Sequence, residues 1–171
     1  MVGRLHDIFE RCGRKVSLVG WSLGGIYARE LARRRPEYVR QVITLGSPFN
    51  ASQRANHAWR LYEQLSGETI DSQKELLEKI RAPLPMPTTA VYSRSDGIVA
   101  WQCCLDDEER AETENVEVAG SHCGLGHNPM VLYIIADRLA QEEGSWQPFD
   151  RRALHRLFYP KPASSLQEAF T

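Results

Sequence analysis

Apolar residues along this chain recur with two periods, and the switching between them predicts an α/β architecture. Leu5, Ile8, Phe9 and Cys12 fall at i, i+3, i+4 and i+7, which predicts an amphipathic helix near 3–12, with Gly13 as its stop. Lys15 to Gly20 is short and largely apolar, as expected of a parallel strand buried on both faces. A helical run from about Leu23 to Arg35 ends at Pro36, with Arg33, Arg34 and Arg35 at its negative dipole end. Val39 to Leu45, Thr88 to Tyr92 and Asn115 to Ala119 are the next expected strands. Between the first two of these, Ala58, Leu61, Tyr62 and Leu65 have helical spacing, and Ser72 to Glu75 forms a capping box ahead of Leu76, Leu77 and Ile80. The Pro-rich run Ala82 to Pro87 then reads as an extended connector. Asp106 to Glu114 is expected to be a solvated acidic loop. Asn128 and Pro129 open a last helix with Val131, Ile134, Ile135 and Leu139 inward and Gly144 as its end. The expected fold is therefore α/β, a parallel sheet of about four strands with flanking helices, over residues 1–150. A small helical cap insertion at about 50–87 lies over the strand ends, and residues 151–171 form a tail. In the C-terminal region, Trp146, Phe149, Leu157 and Phe158 are expected to pack on the body, while the stretch near 161–171 frays.

Composition narrows the function classes. The chain has 171 residues, enough for one domain with a core, and its 42% apolar and 25% charged shares are ordinary for a globular protein. A formal net charge of −1 argues against a nucleic-acid partner. No apolar run reaches the roughly 20 residues of a transmembrane helix. Arg4, Asp7, Glu10 and Arg11 interrupt any signal-peptide core, so a cytoplasmic location is expected. The four cysteines, Cys12, Cys103, Cys104 and Cys123, lack zinc-site spacing, so neither a metal nor a cofactor is expected. Cys103 and Cys104 read as space-filling, and a bridge from either to Cys123 is disfavoured without export signals.

The chemistry concentrates where strands end. Gly20-Trp21-Ser22-Leu23-Gly24 reads G-x-S-x-G between a strand and a helix, a context that lifts the serine hydroxyl above the sheet edge. Glycines at both ends allow strand and helix to approach closely. The free N–H groups of the helix's first turn favour an anion at that spot. The plain alternative is a tight turn with an inert serine. Ser93-Arg94-Ser95-Asp96-Gly97 follows the third strand, although Asp-Gly is also an ordinary turn pair. Two histidines follow the fourth strand; His122 sits in a glycine-rich bend directly after it and is favoured over His127, which abuts the helix cap. Asp96 is favoured over Asp106 and Asp107. Ser22, Asp96 and His122 would then emerge on one rim, where imidazole takes the serine proton and a carboxylate holds its tautomer. Ser47 has no glycine pair around it and reads as loop or pocket wall; His57 and Trp59 read as packing or surface residues.

The blocks Gly20-Trp21-Ser22-Leu23-Gly24-Gly25, Leu45-Gly46-Ser47-Pro48-Phe49, Ser95-Asp96-Gly97-Ile98-Val99 and Ser121-His122-Cys123-Gly124-Leu125 together resemble lipase- and esterase-like members of the α/β-hydrolase superfamily over roughly residues 5–150. The resemblance implies Ser22 as nucleophile, Asp96 as acid, His122 as base and the Leu23 N–H as an oxyanion donor, with Trp21 and Phe49 contacting substrate. It implies a small acyl ester as substrate, with acyl transfer or a non-catalytic interaction role as alternatives. The superfamily fold has about eight strands with this turn after the fifth, and here one helix precedes it. The chain therefore resembles the C-terminal half of that fold, lacking the loop for a second oxyanion donor. Its first strand would be an open edge, suited to self-association or to a missing N-terminal half.

Overall fold

The computed structural model describes residues 2–50, 81–106, 111–152 and 157–160. Helix α1 (Val2–Cys12) leads into β1 (Val16–Trp21), followed by α2 (Leu23–Arg34), a 3-10 turn at Pro36–Tyr38, and β2 (Val39–Leu45). After the cap region come β3 (Thr88–Tyr92), β4 (Thr113–Glu117) and α3 (Pro129–Ala140). Gly13 ends α1 with φ 63° and an N–H bond to the Phe9 carbonyl of 2.8 Å, the left-handed stop its position predicts. Asn128 caps α3, its side chain accepting from the Met130 N–H at 2.9 Å.

The four strands pair in the order β1-β2-β3-β4, all parallel. This is the α/β arrangement expected from the sequence. Strand β2 is central and alternates between two cores. Val42 faces a cluster with Leu5, Ala28, Ala32, Val39, Leu84 and Met86, beneath α1 and α2. Ile43 and Leu45 face the other side, with Val91, Val116, Leu125, Val131, Ile134 and Phe149 beneath α3. Strands β1 and β4 are the sheet's edges among the described residues. The two expected cap helices, His57 and Trp59, Asp107 and the stretch 161–171 lie outside the described residues.

The structure corrects several expectations. First, Asp106 and Glu114 are interior groups, not a solvated loop: Arg29 reaches Asp106 Oδ2 at 2.5 Å, and Arg138 reaches Glu114 Oε1 at 2.8 Å. Second, β4 starts at Thr113, earlier than its apolar letters suggest, because the side chains of Thr113 and Glu114 bond to Thr88 and Thr89 across the sheet. Third, Leu139 is 43% exposed, and Arg138, at 1%, takes the inward position of α3. Val131, Ile134 and Arg138 share a face at i, i+3 and i+7, and Leu139 stands about 100° further round. Helix α3 also stops at Ala140 rather than near Gly144, because Arg40 satisfies the carbonyls of Leu139 and Gln141. Fourth, Leu157 and Phe158 are exposed, while Phe149 and Tyr159 fill the core. All four thiols are free, with Cys103 and Cys104 buried among Tyr92, Val99 and Leu105.

Candidate active site

Ser22 sits between β1 and α2 at φ 52° and ψ −124°, the single non-glycine with positive φ among the described residues. A side chain is strained there and stays only because its surroundings leave no alternative. Those surroundings are identifiable. The Ser22 N–H extends the β1–β2 ladder by bonding the Leu45 carbonyl at 2.8 Å, and the Ser22 carbonyl accepts from the Gly25 N–H at 3.1 Å. The strand and helix close so tightly that a Cβ on Gly20 would lie 2.5 Å from the Gly25 Cα. The sharp turn is therefore built from glycine contacts and leaves the serine partly exposed.

Two further loops meet it. Asp96 follows β3, and its Oδ1 accepts the N–H groups of Ile98 at 2.9 Å and Val99 at 2.6 Å, which fixes the carboxylate on its own turn. His122 follows β4, and its N–H donates to the Asp96 carbonyl at 2.8 Å. The Ser93 hydroxyl donates to the Gly120 carbonyl at 2.6 Å, a second tie between these loops. The side chains then line up: His122 Nδ1 is 2.7 Å from Asp96 Oδ2, and His122 Nε2 is 2.9 Å from Ser22 Oγ. Asp96 and His122 are buried, the latter 5% exposed. A carboxylate at Nδ1 leaves the Nε2 lone pair facing the hydroxyl, an arrangement suited to withdrawing its proton.

The structure thus brings Ser22, Asp96 and His122 together and leaves His127 exposed in the 3-10 turn Leu125–His127. Leu23 opens α2, where main-chain N–H groups lack helical partners. Trp21 flanks the site, but its closest partner is His122: the indole Nε1 donates to the His122 carbonyl at 3.1 Å, and the ring centroids are 5.5 Å apart. Phe49 is 1% exposed and lies under the Arg29 guanidinium, 4.0 Å from its ring centroid, with Ile26 and Ala90 beside it. It packs in the interior of the fold. Asp106 serves the same Arg29. The sequence carried a signal for that pair, since Arg29 lies three residues from both Ile26 and Ala32 on the buried stripe of α2. Beside the site, the Cys104 thiol is held well above its ordinary pKa by burial, with Cys103 and the Asp96 carboxylate adding to it. Among the described residues, no cluster of metal-ligating side chains occurs, and no helix is long and apolar enough to cross a membrane.

Comparison with known proteins places this geometry in context. A family model described as a PGAP1-like alpha/beta domain matches residues 3–108. Among solved structures, the mature form of Bacillus licheniformis lipase BlEst2 aligns with a TM-score of 0.59 at 20% identity, over 81% of this chain and 71% of the lipase. Aspergillus fumigatus lipase B aligns with a TM-score of 0.64 at 20% identity, over 83% of this chain and 40% of that one. A monoacylglycerol lipase from Paleococcus ferrophilus aligns with a TM-score of 0.54 at 13% identity, over 81% of this chain and 72% of the lipase. At these identities the likeness is one of fold. No curated protein matches in sequence.

Proposed function

This chain belongs to the PGAP1-like alpha/beta domain family, within the α/β-hydrolase superfamily, and from that premise we propose that it is a serine hydrolase cleaving carboxylic esters. In this reading Ser22 Oγ attacks the ester carbonyl while His122 Nε2 takes its proton. Asp96 holds the imidazole in the reactive tautomer and stabilises its charged form. The Leu23 N–H and the N-terminal end of α2 stabilise the negative charge on the carbonyl oxygen. His122 returns the proton to the departing alcohol, leaving an acyl group on Ser22. Water, deprotonated by the same imidazole, then releases the acid and restores the serine.

The observation carrying this reading is the unbroken line from Asp96 Oδ2 to His122 Nδ1 at 2.7 Å and from His122 Nε2 to Ser22 Oγ at 2.9 Å. The test is labelling by a fluorophosphonate, with turnover of p-nitrophenyl esters in parallel. Both are expected in the wild type and lost in Ser22→Ala with an unchanged circular dichroism spectrum. Labelling that persists in Ser22→Ala, or a folded wild type that neither labels nor turns over ester, refutes it.

A further inference from the structure

Trp21 is the last residue of β1 and the immediate neighbour of Ser22. A half-exposed tryptophan in that place suggests a wall for substrate, yet the contacts it makes are to the imidazole's own residue. Its Nε1 donates to the His122 carbonyl at 3.1 Å. Its ring lies 5.5 Å from the imidazole centroid, tilted by 37°. The two differ sharply in exposure, with Trp21 at 44% and His122 at 5%, so an exposed indole lies against a buried imidazole.

The hydrogen bonds of His122 sharpen the point. Its N–H is held by the Asp96 carbonyl at 2.8 Å, from the loop after β3. Its carbonyl accepts from the Leu125 N–H at 3.3 Å, within its own turn, and from Trp21, on the strand that carries Ser22. Trp21 is therefore a direct tie from the serine-bearing strand to the main chain of the histidine-bearing loop. The other ties between these two elements run through the sheet and the Asp96 loop, so besides the 2.9 Å contact between Nε2 and Oγ the Trp21 bond joins them directly. We propose that Trp21 is a positioning residue: it pins the His122 main chain to β1 and shields one face of the imidazole, so that the base stays aimed at Ser22. This rests on the reading of Ser22 and His122 as nucleophile and base.

Positioning and substrate contact predict different kinetics. A misplacement of about 1 Å in such a site lowers turnover on the order of 10²-fold. Trp21→Ala, which removes both the donor and the ring, is expected to lower kcat by about that factor for every ester tried. Trp21→Phe keeps a ring and lacks the donor, and is expected to fall between that variant and the wild type. KM should stay within about twofold across p-nitrophenyl acetate, butyrate and octanoate, since uniform substrate binding is untouched. A substrate-contact residue would instead raise KM by a factor that grows with acyl length.

The experiment measures kcat and KM for the wild type and both variants on the three esters. It also measures solvent exchange of the His122 Nδ1 proton by NMR, which needs no turnover. Faster exchange in both variants, with loss confined to kcat, is the expected result. Unchanged exchange overturns the proposal, as does a chain-length-dependent rise in KM at constant kcat. The Ser22→Ala labelling control separates the two levels: if the wild type proves inactive, the proposed reaction fails and proton exchange still decides the role of Trp21. Should Trp21→Ala fail to fold, Trp21→Phe carries both measurements.

Discussion

The turn at Ser22 makes a quantitative prediction about Gly25. A Cβ added there would lie 2.7 Å from the Ser47 Cβ, closer still to its Oγ, and 3.1 Å from the Gly20 carbonyl oxygen. Ser47 is fully buried, so its side chain has no solvent-facing position to retreat to. Among the described residues its hydroxyl makes two long contacts, 3.4 Å each, to the Gly20 and Leu45 carbonyls. Gly25→Ala is therefore an overpacking substitution, expected to cost about 2–3 kcal/mol. For a chain of this size that is a fall in Tm of roughly 4–12 °C. Because the main obstruction is one small side chain, Ser47→Gly should relieve it. By itself Ser47→Gly is expected to cost about 1 kcal/mol, from chain entropy and the two weak bonds. The double variant should then be more stable than the sum of the two predicts, by about 1–2 kcal/mol. Gly20→Ala supplies the contrast. Its Cβ meets the main chain of Gly24 and Gly25, with the Gly25 Cα at 2.5 Å, and Ser47→Gly offers it no relief. Urea unfolding followed by tryptophan fluorescence measures the wild type and all five variants, Gly20→Ala with Ser47→Gly included. Additivity of Gly25→Ala and Ser47→Gly within about 0.5 kcal/mol, or equal rescue of Gly20→Ala, would refute this account of the turn.

Three further outcomes follow from the carboxylate at the site and from the thiols. Asp96→Asn keeps an oxygen for the Ile98 and Val99 N–H groups but turns an amide N–H toward His122 Nδ1, favouring the wrong tautomer. Ester turnover should fall on the order of 10⁴-fold at unchanged Tm, and a loss below tenfold would count against Asp96 as the imidazole's partner. Burial holds the Cys103 and Cys104 thiols above their ordinary range, whereas Cys12 and Cys123 are exposed, so a disulfide reagent should titrate two thiols in the native protein and four in denaturant. The folded thiols have the raised pKa, so the stability they contribute is intact below about pH 8.5 and declines above it; an unchanged urea midpoint between neutral and strongly alkaline pH would contradict this.

The elements with clean periodicity were legible, and so was the meeting of Ser22, Asp96 and His122, because each follows a strand of a parallel sheet and emerges at the same end. Illegible positions were those where a charge sits inside. Arg29, Asp106, Glu114 and Arg138 all read as surface letters, and each is buried with an opposite charge supplied from another element. Arg29 leaves a local trace, its place on the buried stripe of α2, whereas Asp106 and Glu114 leave none, since a carboxylate alone would be excluded from the core. Phe49 follows the same pattern: its position after β2 points to the rim, while its buried ring lies under the Arg29 guanidinium. The bond from Trp21 to the His122 main chain joins residues 101 positions apart, and no spacing rule reveals it.

The site is an extension of the sheet rather than a set of loops resting on it. Where each strand pair ends, one more main-chain bond continues the ladder: Ser22 N–H to the Leu45 carbonyl at 2.8 Å, Gly46 N–H to Val91 at 2.8 Å, and Val118 N–H to Tyr92 at 2.9 Å. Past these bonds the loops tie to each other through Asp96 and His122. Gly46 shows how little slack remains. It has φ 53°, and a Cβ there would lie 2.7 Å from Leu125 Cδ1, 3.1 Å from Asp96 Oδ2 and 3.3 Å from His122 Nδ1. The glycine after β2 is thus the floor on which the carboxylate and imidazole rest, although it carries no chemistry. Strand register sets the heights of Ser22, Asp96 and His122, and the glycines set how closely they approach. The alignment of hydroxyl, imidazole and carboxylate is accordingly a property of the packed sheet edge, and any change that shifts one strand end moves all three.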